Sequence, residues 1–369
     1  MSPRTTPLEA AHREAGAVST DFGGWQMPLK YGNDVAEHHA VRRAAGVFDL
    51  SHMGEIAVEG PHAAAFLDAA VVARMSAVAP GRAKYSLLVD EAGRVLDDLI
   101  TYRLAEDRFL VVPNAANTAT VLRALEERAD GHDVAVEDRT EATALVAVQG
   151  PAAQDTLLAA GCADPDAVRE LGYYARTTTE VAGAPALVAR TGYTGEDGFE
   201  LYVAPEHART VWDALLAAGE DRGVVPAGLA ARDSLRLEAG MPLYGHELGP
   251  DITPFEAGLG RLVEAALRSK GDFVGRAALE EQAAAPPARV LVGLRGLTRR
   301  PVRAGNTVLA GDETVGEVTS GVPSPTLGHP VAMALVQPAA LEAGVPLEAD
   351  VRGRRAPVEV VGLPFYRRS

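Results

Sequence analysis

Between residues 82 and 112 the chain reads RAKYSLLVDEAGRVLDDLITYRLAEDRFLVV, with apolar segments broken at DEAG and AED. Alternation at period two, interrupted by turn-forming residues, predicts a three-strand antiparallel meander. Helical spacing follows over 114–130, NAANTATVLRALEERAD, where Ala115, Leu122 and Leu125 are available to an apolar face. A second hairpin is predicted in PALVARTGYTGEDGFELYVAP, and a helix over 206–218 comes next. A further helix is expected from about residue 226 to 239, with Pro226 at its start and Gly240 just past its end. A strand, a proline and TVLRAL around Val121 recur as a strand, a proline and TVWDAL around Val211, which hints at two related α+β lobes.

In EEQAAAPPAR, residues 280–289, adjacent prolines halt an alanine-rich helix, so this segment is the expected linker. Beyond it, short strands separated by glycine and proline turns predict a small all-β domain over 290–369, a barrel or a jelly roll. Before it, strands and helices mix without regular βαβ alternation, which favours α+β over a doubly wound sheet for 1–279. A chain of 369 residues has room for two or three domains.

Charge and composition narrow the chemistry. A net charge of −15 repels polyanions, so nucleic acid is not an expected partner. The single cysteine, Cys162, excludes an internal disulfide or a thiolate zinc cluster and fits a reducing compartment. The N-terminal MSPRTTPLEAAHREAGAV lacks an apolar secretory core and carries two glutamates. The most apolar stretch, 67–80, is interrupted by Asp68 and Arg74, so no membrane span is expected and the cytoplasm is the expected location.

Several site types lack their residues. None of the three lysines, Lys30, Lys84 and Lys270, follows a glycine, as a Walker loop requires. GLGRLV at Gly258 has no third glycine for a dinucleotide fingerprint. His246 has no second histidine one helical turn later, His38 and His39 would point apart on a helix, and no G-x-S-x-G occurs. ATP-driven, nicotinamide and metallohydrolase chemistry all lose support.

Three groups remain as candidates. In RVLDDLITY, period two puts Asp98 with Leu96, Ile100 and Tyr102, and Asp97 with Val95 and Leu99. One acid can therefore sit on a half-buried surface, where it needs donors or a raised pKa; the alternative is an edge-strand acid facing water. Glu200 follows the glycine-rich TGYTGEDG and can offer two oxygens to a planar pair of donors, or be a solvated hairpin residue. Glu196 and Asp197 read as turn residues. Arg232, on the partly apolar face of AGLAARDSLRLEAG, can bind a ligand carboxylate or pair with a protein acid such as Asp233 or Glu238.

The segments FDLSHMGE, LVDEAGRVLDDLI, VAVQGP, TGYTGEDGFE, AGLAARDSLRLEAGMPLYGHEL, PFEAGLG, DFVGRAAL and TSGVPSPTLG occur in order and cover nearly the whole chain. Together the chain resembles the aminomethyltransferase family, the T-proteins of the glycine cleavage system. GLAARDSLRLEAG beside TGYTGEDG is specific to the wider folate-binding group, whereas LDDL with YGHEL and SGVPSP favours the T-protein branch.

The resemblance implies an α+β folate-binding region of two intertwined lobes and a C-terminal β-barrel, arranged around a central folate channel. It implies tetrahydrofolate as co-substrate, no metal, and lipoylated H-protein as partner, in a system with P- and L-proteins. By motif position, Asp98 matches the family's catalytic aspartate, Glu200 the residue that holds the pterin and Arg232 a further substrate contact. Met53, Tyr85, Asn114 and Tyr193 are implied to line the pocket, with Tyr366 or Arg367 near the folate tail. Arg261 departs from the aromatic residue common after GLG, which bears on local packing. A folate-dependent demethylase shares the pocket and is the enzymatic rival. The non-enzymatic rival, a folate-binding iron–sulfur maintenance protein, carries a KGCYxGQ-like segment, whereas Cys162 lies in AAGCADP.

Overall fold

The computed structural model describes residues 3–368. The chain divides into two compact units. One comprises Met1–Leu67, Met75–Tyr85 and Leu99–Asp233, and the other Asp68–Arg74, Ser86–Asp98 and Ser234–Ser369.

The first unit holds a six-stranded sheet in the spatial order Arg176–Val181, Ala184–Ala189, Gly198–Val203, Ala144–Gln149, Gly46–Asp49 and Val225–Pro226. Every neighbouring pair is antiparallel except the last. Helices Ala153–Ala159 and Ala208–Gly219 pack on it, and Val211, Trp212 and Leu215 join Val146, Val148, Phe199 and Leu201 in one core. Burying each such side chain contributes roughly 1.5–3 kcal/mol. Phe199, Leu201 and Val203 belong to that core, so alternation turns Glu200 and Tyr202 to the opposite face.

A five-stranded sheet has the order Ala83–Val89, Val95–Ala105, Arg108–Val112, Ile56–Glu59 and Ala135–Asp138. Its first three strands are the expected meander. A smaller sheet places Trp25–Lys30 between Arg4–Thr5 and Val18–Phe22.

Several helix boundaries differ from the sequence expectation. Residues 114–130 divide into a 3₁₀ turn, Ala115–Asn117, and an α-helix, Thr118–Arg128. With the α-helical period starting at Thr118, its buried face is Val121, Ala124 and Leu125, and Leu122 and Ala115 are only partly covered. The 206–218 helix has a 3₁₀ lead-in, Pro205–His207, and extends as Ala208–Gly219. Pro226 does not start a helix: Val225–Pro226 pairs in parallel with Gly46–Val47 at the sheet edge, where a residue lacking N–H is tolerated. The helix begins at Leu229 and ends at Glu238, and Gly240, at φ 66°, takes the left-handed conformation just beyond.

In the second unit, six strands close a barrel in the order Val290–Gly296, Pro330–Val336, Glu313–Pro323, Thr307–Ala310, Leu347–Asp350 and Arg355–Val361. Leu294, Val308, Val318, Ala334 and Val358 fill its core. Helix Arg276–Ala283 stops short of Pro286, so the first residues of 280–289 are helical.

Polar ties are buried in both units. In the second, Arg236 Nη1 meets Glu247 Oε2 at 2.9 Å and Arg236 Nη2 donates to Ser320 Oγ at 2.8 Å. Glu238 accepts from Ser324 Oγ and from Thr326 N. These bonds bind the end of the RLE helix to the barrel strand and loop that carry SGVPSP. In the first, Asp49 Oδ2 lies 2.8 Å from His12 Nε2 and accepts from Thr6 Oγ1 at 2.6 Å, while Oδ1 accepts from Ser51 N at 2.9 Å. Burial alone would raise the Asp49 carboxyl, but the hydrogen bond and charge of His12, with Thr6 and Ser51, hold it below its ordinary 3.8.

A carboxyl with a depressed folded pKa adds stability that is present above its unfolded value and is lost as pH falls through the folded one. Asp49→Asn is expected to lower stability at pH 7 by about 1–3 kcal/mol, because it replaces the buried anionic acceptor that Thr6, Ser51 and His12 share with a neutral amide. Urea unfolding of the variant should also depend less steeply on pH than wild type below about pH 4. Parallel acid slopes would show that the pair does not carry this dependence.

Candidate functional site

In the first unit the connection between Ala184–Ala189 and Gly198–Val203 is wrapped around the side chain of Gln149, from VAVQGP. Gln149 Nε2 donates to Thr191 O at 3.0 Å, and Oε1 accepts from Thr194 Oγ1 at 3.2 Å. Gly192 and Gly198 are glycines because the amide fills the space of a side chain: a Cβ would lie 1.9 Å from Gln149 Oε1 at the first and 2.4 Å from Nε2 at the second. Glu196 and Asp197 do more than turn the chain. Buried Arg42 contacts Glu196 Oε1 at 2.8 Å and donates to Thr194 O, and Arg190 forms a two-point pair with Asp197 at 2.6 and 2.9 Å.

Three of the expected residues lie on or beside this connection. The guanidinium carbon of Arg232 sits 4.7 Å from the centre of the Tyr193 ring, within cation–π range. Half-buried Glu200 accepts through Oε2 from Thr191 Oγ1 at 2.5 Å and from Tyr102 Oη at 3.2 Å. Neither hydroxyl was a sequence candidate. Tyr102 was legible only as a neighbour of Asp98 on its strand face, and Thr191 as part of TGYTG.

The same unit carries FDLSHMGE. Met53 is half-buried, as are Tyr85 and Asn114, and Asn114 is extended just before the Ala115–Asn117 turn. His52, fully enclosed, packs edge-on to Phe22 with centroids 5.5 Å apart. Burial lowers its pKa, the charge of Asp49 opposes that, and the charge of Arg232 adds to it, leaving about 4. The imidazole is therefore neutral at physiological pH. Glu55 is also enclosed, and neither carboxyl oxygen has a hydrogen-bond partner among the described residues. Burial and then the charge of Asp138 push it well above the usual carboxylate range, toward the neutral acid.

Along Val95–Ala105, whose first four residues belong to the second unit, burial follows the expected alternation: Val95, Asp97 and Leu99 are enclosed, and Leu96 and Asp98 are partly exposed. Tyr244, from YGHEL, donates its hydroxyl to Val95 O at 3.2 Å. Its own pKa is raised by burial and then by the charges of Asp97 and Asp98, which places the phenol in the field of both acids. Tyr366 is half-buried and its N–H donates to Glu238 O at 2.8 Å, while Arg367 is exposed. Among the described residues, no group of three or more His, Cys, Asp or Glu side chains is arranged to hold a metal ion. No helix among them is long and apolar enough to cross a membrane.

Two family models match the chain: the GCVT N-terminal domain over residues 8–266, and the glycine cleavage T-protein C-terminal barrel domain over 289–367. The chain belongs to the glycine cleavage T-protein family. It is 56% identical to the aminomethyltransferase of Streptomyces coelicolor, over 99% of this chain and 98% of the relative. It is 44% identical to that of Geobacillus thermodenitrificans, over 99% of each. The crystal structure of glycine cleavage system aminomethyltransferase T from Bartonella henselae superposes with a TM-score of 0.91 at 39% identity, covering 99% of this chain and 98% of that one.

Much of what the T-protein motifs encode is support. VAVQGP supplies the amide inside the TGYTGEDG connection; YGHEL supplies Glu247 to Arg236 and Tyr244 to the LDDL strand; SGVPSP supplies Ser320 and Ser324. Arg261 is exposed in the first turn of helix Gly260–Ser269, so no buried packing depends on it. For His52, nitrogen-15 histidine spectra should show no titration from pH 8 down to about 5. Arg232→Met should raise its midpoint by removing a neighbouring positive charge. A His52 that titrates near pH 6.5 in the wild type would contradict the enclosed, neutral ring.

Proposed function

We propose that the aminomethyl transfer of this family runs in this chain through Asp98, Glu200 and Arg232, with tetrahydrofolate as co-substrate and lipoylated H-protein as donor. The carbon starts bonded to the sulfur of the lipoyl arm and to nitrogen. Both bonds break, two C–N bonds form to positions 5 and 10 of the folate, and the two displaced N–H protons leave on ammonia and on the released thiol. The products are 5,10-methylenetetrahydrofolate, ammonia and the dihydrolipoyl carrier.

The observation that carries this reading is Glu200: a half-buried carboxylate with one oxygen taken by two hydroxyls and a second oxygen for a ligand. An aminopyrimidinone edge presents N–H donors in one plane, which suits such an acceptor. Asp98 is the group on LDDL that alternation turns away from its enclosed neighbours. It would accept a hydrogen bond from the side-arm nitrogen, orient it and stabilise positive charge developing on the transferred carbon. As a base it would also take the nitrogen's proton. Arg232 supplies a cation for an anionic group of the substrate. Met53, Tyr85, Asn114 and Tyr193 complete the folate contacts, with Tyr366 and Arg367 toward its tail.

Residues 1–279 form the folate-binding region in this reading, 280–289 the linker and 290–369 the barrel domain. No metal is required, the P- and L-proteins complete the system, and the cytoplasm is the working location.

Asp98→Asn tests the proposal, since it keeps shape and removes charge. Ammonia release from aminomethylated H-protein with tetrahydrofolate should fall by about 10²–10⁴-fold, while folate binding changes little. Unchanged turnover removes Asp98 from catalysis.

A further inference from the structure

Glu200 ends a chain of three hydroxyls. Tyr202 Oη donates to Tyr102 Oη at 3.4 Å, Tyr102 Oη lies 2.8 Å from Thr191 Oγ1 and 3.2 Å from Glu200 Oε2, and Thr191 Oγ1 reaches Glu200 Oε2 at 2.5 Å. Each hydroxyl has one proton to give. Tyr102 and Tyr202 are 0% and 6% exposed. Burial and then the charge of Glu200 push Tyr102 well above the ordinary phenol range, and burial and then Tyr102 do the same to Tyr202. Both stay protonated at physiological pH. Among the described residues the Tyr202 hydroxyl has one hydrogen bond, to Tyr102, so the far end of the chain is closed. The donors therefore run toward Glu200: Tyr202 donates to Tyr102, the single proton of Tyr102 is directed at Glu200 Oε2 with Thr191 Oγ1 alongside, and Thr191 donates to Glu200 Oε2. Buried chains of this kind strengthen cooperatively.

That polarity has a consequence for recognition. With its inner oxygen receiving hydroxyl protons, Glu200 faces a ligand as an acceptor. A ligand edge that itself offers acceptors meets lone pairs and loses its own hydration without return. We propose that Tyr102 and Thr191 are positioning and specificity-determining residues: by filling Glu200 Oε2 with hydroxyl donors, they make its other oxygen select a ligand edge that carries N–H groups. This rests on the pterin-holding role proposed for Glu200 and extends it to the two side chains whose hydroxyls bond its Oε2. The backbone of Thr191 is held separately by Gln149, so its hydroxyl can be removed without releasing the connection.

The test is calorimetric titration of the purified full chain, under argon, with tetrahydrofolate and with its 2-desamino-2-methyl analogue, which lacks the exocyclic donor. Wild type should prefer tetrahydrofolate strongly. Thr191→Val should weaken tetrahydrofolate about tenfold and the analogue by less than about twofold, so that the preference collapses. Thr191→Ser, which keeps the donor, should retain it, and Tyr102→Phe should lose part of it. In a Glu200→Gln background, Thr191→Val should have no further effect. Equal weakening of both ligands by Thr191→Val, or additive losses in the double variant, would overturn the proposal. So would a silent Thr191→Val in a chain where Glu200→Gln still weakens binding. A Glu200→Gln variant with unchanged affinities would instead bring down the pterin-holding role itself, together with the inference built on it.

Discussion

The side-chain amide of Gln149, enclosed within the connection that follows Ala184–Ala189, is the interaction on which the first unit's site depends. It satisfies Thr191 O and Thr194 Oγ1 at once, and the two glycines beside it have no room for anything larger. A buried amide with both ends satisfied specifies one loop conformation, because every alternative leaves a polar group unpaired at a cost of about 1–3 kcal/mol. Thr191 is thereby fixed at both backbone and hydroxyl, and Glu200 inherits its orientation from Thr191. Arg42 and Arg190 hold the other half of the connection by pairing with Glu196 and Asp197.

The second unit meets the same constraint with ions. The helix Leu229–Glu238 carries Arg236 and Glu238 into surroundings closed to water, and each is matched by groups from YGHEL and SGVPSP. Burying an ion pair adds little net stability, whereas breaking one is costly, so such pairs hold register more than they add free energy. This accounts for the length of the run RDSLRLEAG. Its leucines pack, its first arginine faces Tyr193, and its second arginine and glutamate secure the barrel.

The sequence reveals those parts of the fold that repeat a period. The meander over 82–112, the hairpin around TGYTGEDG, the α+β class and the all-β C-terminal region followed from alternation and punctuation. Helix starts did not. Asn114 is extended and a 3₁₀ turn intervenes before Thr118, which rotates the buried stripe onto Val121 and Ala124. Pro226 reads equally as a helix start or an edge-strand residue until the position of Gly46–Asp49 is known. Of the candidate residues, the half-buried faces of Asp98 and Glu200 were legible from alternation. The supporting groups were not: Tyr102 and Gln149 meet Glu200 or its connection only through long-range strand pairing, and the hydroxyl of Thr191 reaches Glu200 only once the connection has folded back on itself. An uncharged side chain in a strand gives no sign in sequence of the acid it will serve.

Asp49 and Glu55, six residues apart, show what governs the charge of an acid in this fold. Both are enclosed, and burial pushes both carboxyls upward. Asp49 ends below its ordinary value because His12, Thr6 and Ser51 all reach it, and Glu55 ends far above because no donor does. At equal depth, the donors around Asp49 and the Asp138 charge near Glu55 send the two carboxyls in opposite directions. Glu200 differs from both in being half-exposed, with two hydroxyls directed at one of its oxygens. A carboxylate held from behind by donors and open in front is the arrangement an acceptor for a planar N–H edge requires. If Glu200 holds the pterin as proposed, the hydroxyls on its Oε2 belong to the recognition element as much as the carboxylate does.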